Sequence, residues 1–146
     1  HAILLYPNER VVLRVGPGGA LTLMGATFAG PEKLLPPKPG PRGPENQGDW
    51  NDARPGTIAL MMGQVGADTL LKVESGIDKA FDYSAVMVIE GGPVPTSVCT
   101  VLPLLSSYEH WEKRHASALM LGEFATRETN EVICPEPAVQ APAAVA

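Results

Sequence analysis

Short apolar segments, most of them six to ten residues long and each closed by Gly, Pro, Asn or Asp, constrain this chain more than any other feature. The clearest is FDYSAVMVIEGG (81–92), which sets Tyr83, Ala85, Met87 and Ile89 on one side and ends on a Gly-Gly turn. RVVLRV (10–15) likewise puts Val11, Leu13 and Val15 on one face, and GPGG (16–19) turns it into ALTLMGATF (20–28). Gly25 in that segment marks a bulge. Further strands are expected over 56–65, 68–75, 95–105, 116–128 and 130–135. Alternation with period two, broken by turn residues at this spacing, defines an antiparallel all-β domain. The expected fold is an immunoglobulin-like antiparallel β-sandwich of about seven or eight strands.

Helical periodicity is scarce. SSYEHWEKRHASALML (106–121) is the best candidate, with Ser106 or Ser107 available as a cap. Its flanks read as strands, so the favoured reading is a loop crossing between sheets with a single helical turn. Residues 30–56 carry a dense run of Pro and Gly and no apolar period, which makes them a long loop between strands. Trp50 near its end either pins the loop to the sheet or meets a partner. The organisation is therefore one sandwich domain over 1–135, followed by a Pro- and Ala-rich tail at 136–146. Alone, that tail would be an extended arm.

Composition narrows the function. The net charge of −5 comes from mixed, scattered charges, so there is no basic face for nucleic acid. No apolar run reaches the roughly 20 residues of a membrane-spanning helix. Signatures of hydrolases, phosphate-binding loops and zinc proteases are absent. The first residue is His1, as export and removal of a signal would leave it. Cys99 and Cys134 then form an even pair for a disulfide in a secreted or periplasmic setting. Met61, Met62 and Met120 read as core filling, and Glu109, Glu112, Lys113 and Arg114 as a solvated face.

The leading functional expectation is an exported, non-catalytic protein that binds a protein partner or assembles with itself. It uses no cofactor, and it serves as an accessory or structural subunit. Exposed strand edges and extended arms pair with other chains by β-augmentation, and Trp50, Pro137 and Val139 are the expected partner-binding residues.

A second expectation comes from a resemblance. With His1 first, further histidines at 110 and 115, and a sandwich-like strand pattern, the chain resembles the histidine-brace copper proteins, among them the lytic polysaccharide monooxygenases. The resemblance implies Cu(II) held by the amine and ring nitrogens of His1 and the ring of His110, since nitrogen donors suit tetragonal copper. Tyr6, Tyr83 or Tyr108 would then stand near an axial position. The match rests on single residues and covers no continuous motif.

Overall fold

The computed structural model describes residues 2–30, 34 and 51–135. Among the described residues nine strands alternate with turns: β1 (Ala2–Leu5), β2 (Glu9–Val15), β3 (Leu21–Phe28), β4 (Thr57–Val65), β5 (Asp68–Ser75), β6 (Phe81–Ile89), β7 (Gly92–Thr96), β8 (Ser106–Trp111) and β9 (Ala118–Thr126). They form two antiparallel sheets. One has four strands in the order β1-β9-β6-β7, and the other five in the order β3-β2-β4-β5-β8.

Side chains from both sheets meet in one apolar core. Leu13, Leu60, Leu71 and Val73 come from the five-stranded sheet, and Leu5, Phe81, Met87 and Leu119 from the four-stranded one. The alternation read in β2 and β6 is the alternation observed. Val11 and Leu13 are buried, with Val15 packed against them, and Phe81, Tyr83, Ala85 and Met87 are all buried. Residues on the opposite side of β6, from Asp82 to Val88, are half-buried.

The two central strands break that alternation. Thr57 to Gly63 of β4 and Thr69 to Ser75 of β5 are buried on both faces. The cover on the outer face is visible at both ends of the 30–56 stretch. Leu34 is fully buried against Met61 and Leu70. Gly63 lets it approach, because a Cβ at that position would stand 2.8 Å from the Leu34 side chain. At the other end, the Asn51 amide donates to the Ser75 carbonyl at 2.8 Å, and the Asp52 N–H donates to the Glu74 carboxylate at 2.8 Å. Thus the described ends of this long connection lie on the outer face of β4 and β5. Trp50 lies outside the described residues.

Several expected boundaries move. Residues 106–111 are a strand, not a helical turn in a crossing loop; Ser106 to Trp111 pair with Thr69 to Glu74 of β5. Glu109 was expected on a solvated face. It is half-buried, and its carboxylate accepts the Cys99 N–H at 2.8 Å. The segment 95–105 is strand only to Thr96, and a single bridge from Val101 to Phe81 continues it. Residues 130–135 run beside it without becoming a strand. There Ile133 and Thr100 exchange bonds, Thr100 N–H to Ile133 O and Ile133 N–H to Thr100 Oγ1, both at 3.0 Å. A side-chain hydroxyl thus replaces a ladder carbonyl, and the pairing does not propagate. Met120 is 39% exposed on the outer face of β9 and is not core filling. Ala2–Leu5 is an edge strand on β9.

The Cys99–Cys134 disulfide is present and ties the irregular segment after β7 to the stretch after β9, across a sequence separation of 35. In the chain-entropy view, closing a loop of that length stabilises the fold by about 3–4 kcal/mol.

Candidate functional site

Each sheet ends in two outer strands, and an outer strand offers unpaired N–H and C=O groups to any extended chain that reaches it. Three of the four are protected. β7 carries Pro93 and Pro95 within five residues, which removes donors from its edge. β8 carries the ionisable Glu109 and His110. β1 is four residues long.

β3 is different. Its eight residues, LTLMGATF, contain no charge and no proline, and among the described residues it is the outer strand of the five-stranded sheet. The turn that launches it relies on glycine. Gly18 and Gly19 hold φ of 74° and 85°, and the Gly16 N–H donates to the Ala20 carbonyl at 2.7 Å. The bulge expected at Gly25 is there: Val12 faces Gly25 and Leu13 faces Leu23, so Met24 is the extra residue.

Register fixes the faces of β3. Leu21, Leu23 and Ala26 stand opposite Val15, Leu13 and Val11, whose side chains enter or flank the core. Phe28 stands opposite Glu9 on the same side. These β3 residues therefore point the way the core residues point; Leu21 packs half-buried against the core, yet beyond it Leu23 is 63% and Phe28 80% exposed, and Met24 at the bulge is 50% exposed. The strand overhangs the packed core. Beside its other face runs a groove of about 300 Å³, lined by Arg10, Met24, Gly25, Thr27, Asp52 and Arg54.

Next to this groove lies a buried ionic cluster. Glu74 pairs with Arg10 at 3.0 Å and with Lys72 at 3.3 Å, and both Glu74 and Lys72 are almost completely buried. Burial holds the Lys72 ammonium below its ordinary range, against the pull of Glu74. Tyr108, across the ladder from Lys72, has its hydroxyl buried without a hydrogen-bond partner, and burial pushes it up to about 12. The cluster binds the 51–54 stretch to β5; its acceptors are occupied by Arg10, Lys72 and the Asp52 N–H.

A second hollow opens at one end of the sheets. It has a volume of about 610 Å³, with Gly18, Gly56, Gly76, Asp78, Lys79 and Leu104 among its walls. An adjoining space of about 290 Å³ reaches Phe81 and Phe124. Lys79 is paired with Glu128 at 2.9 Å. Tyr83, which stacks on Phe124 at 5.7 Å, is a core residue with its hydroxyl buried. It belongs to the packing between the sheets and not to a surface copper position.

Of the expected metal- and partner-binding residues, His110 alone lies among the described residues. His110 lies on β8, and its Nε2 is 2.7 Å from the Asp68 carboxylate, which also accepts the Lys113 N–H at 2.9 Å. Those two bonds hold the Asp68 carboxyl below its ordinary value of 3.8, the Lys113 N–H contributing most. His1, the other expected copper ligand, lies outside the described residues, as do the expected partner-binding residues Trp50, Pro137 and Val139. Among the described residues, no three His, Cys, Asp or Glu side chains gather as metal ligands. No helix there is long and apolar enough to cross a membrane. The exposed apolar row of β3 was missed. Its signal was legible in principle, since an eight-residue strand without a single charge is an unprotected edge if it ends up outermost.

The class of protein defined here is a two-sheet antiparallel β domain closed by a disulfide, with one edge strand, β3, left bare among the described residues. No protein-family model, curated protein or solved structure matches the chain.

Proposed function

We propose that this chain is an exported, immunoglobulin-like β-sandwich that works by binding protein through strand pairing, as an accessory or structural subunit of an extracellular or periplasmic assembly. The observation that carries the reading is β3: an uncharged outer strand with Leu23, Met24 and Phe28 exposed, in a fold whose other three edges are short, charged or proline-bearing. The Cys99–Cys134 bridge supports the exported setting, where disulfides persist. An apolar core fed by both sheets supports the sandwich.

In this reading the apolar tail 136–146 is an extended arm for a neighbouring sheet edge. Native mass measurement across concentration tests it, comparing the full chain, a chain ending at Pro135 and the Leu23→Lys variant. Both variants should keep the wild-type circular dichroism; Leu23→Lys should lose association, and the shortened chain should associate more weakly. Normal association of the shortened chain would remove the tail from the account, and normal association of Leu23→Lys would remove the edge.

A further inference from the structure

The β3 edge has a property that points to one occupant. Met24 and Gly25 together face the single residue Val12, so they count as one ladder position. In order, the strand then reads Leu21, Thr22, Leu23, the bulge, Ala26, Thr27 and Phe28. That series is a palindrome in chemical class: apolar, Thr, apolar, bulge, apolar, Thr, apolar. Face follows the same symmetry. Leu21, Leu23, Ala26 and Phe28 lie on the core side, and Thr22, Gly25 and Thr27 on the other.

An antiparallel pair of identical strands related by a two-fold axis normal to the sheet must place one ladder position opposite itself. Here that position is the bulge. We infer that β3 pairs antiparallel with β3 of a second copy of this chain, about a two-fold axis through Met24–Gly25, in the register Leu21 to Phe28, Thr22 to Thr27 and Leu23 to Ala26. Every opposed pair in this register is apolar with apolar or Thr with Thr, and every pair lies on a common face. The two five-stranded sheets join into one continuous sheet of ten strands. Leu23 and Phe28, exposed at 63% and 80%, gain neighbours on the face where the core residues already point. The absence of charge on the strand means that the self-contact brings no like charges together.

This inference deepens the strand-pairing reading above and rests on it, but its failure can be told apart. The probe is the oxidised full-length chain, examined by sedimentation velocity over a wide concentration range. Wild type should dimerise. Met24→Glu and Met24→Lys place like charges against each other at the axis, and each should weaken dimerisation by roughly tenfold or more. Mixing the two variants in equal amounts should restore it, because the axis then brings Glu opposite Lys. Independently, the Thr22→Cys/Thr27→Cys double variant should form a covalent dimer on mild oxidation, whereas each single variant should not, since Thr22 opposes Thr27 and not itself.

A dimer indifferent to both Met24 substitutions, or cross-linked by either single cysteine, would overturn this axis and leave the broader reading standing. So would a monomer at every concentration whose amides over 21–28 exchange freely, and a binder other than a second copy would then have to fill the edge. A monomer with those amides protected would place a segment of its own chain on β3 and overturn both.

Discussion

β5 and β3 lie in the same sheet with inverted chemistry. β5 carries Lys72 and Glu74 and is buried on both faces; β3 carries no charge and is exposed along almost its whole length. Burial here is decided by place in the sheet order. β5 is flanked by β4 and β8 and roofed on its outer side by Leu34 and the 51–54 stretch, so its charges had to be paired inside. Among the described residues β3 has a neighbouring strand on one side only, and Leu23 and Phe28 stay exposed beyond the core. The contrast teaches that the residues most out of place by type mark the two regions where neighbours matter most.

The largest expected effect breaks the buried half of the contrast. Glu74→Ala removes the carboxylate that Lys72, Arg10 and the Asp52 N–H share; it should destabilise by about 3–5 kcal/mol in denaturant titrations. Lys72→Met, by contrast, leaves Glu74 paired with Arg10 and should cost less than Glu74→Ala. Equal losses from the two changes would mean that Glu74 is not the hub.

Next in size comes the packing. Leu71→Ala on β5 should cost about 2–5 kcal/mol in the same titration, while Leu23→Ala on β3, read on the monomer, should stay within about 0.5 kcal/mol. A comparable loss at both positions would contradict the overhang of β3.

The disulfide sharpens a different boundary. Cys99→Ser together with Cys134→Ser should lower stability by about 2–4 kcal/mol and free the segment after β9, which hydrogen exchange at Ile133 would show. The smallest effect is the acid limb at Asp68. Its folded-state carboxyl lies below its ordinary value of 3.8, so its contribution is present above that value and is lost as pH falls through the lower, folded one. Asp68→Asn should flatten that part of the stability–pH curve and nothing else. An unchanged slope would mean that the bonds from Lys113 and His110 are not maintained in solution.

Much of the fold was legible because strands with one wet face write their alternation into the sequence, as β2 and β6 do. β4 and β5 were legible as strands but not as doubly buried ones, since the roof over them comes from Leu34 and from residues that carry no periodic signal. β8 was misread because its flanks read as strands, which made 106–121 look like a loop crossing between sheets. Only its place beside β5 gives Glu109 the Cys99 N–H and His110 the Asp68 carboxylate. The opposite error fell on 97–105 and 130–135, apolar runs whose local bonding through Thr100 and the disulfide substitutes for a ladder. The candidate site was the least legible part. Whether an uncharged strand is an edge or a centre is a property of topology, and LTLMGATF would suit either.

The most direct test is hydrogen exchange read by mass spectrometry at high and low protein concentration, comparing the segments 21–28 and 68–75. Slow exchange of 68–75 at both concentrations, with 21–28 exchanging fast when dilute and slowing when concentrated, is the predicted result. Equal protection of the two segments in dilute solution would contradict the account, because β3 would then already have its partner.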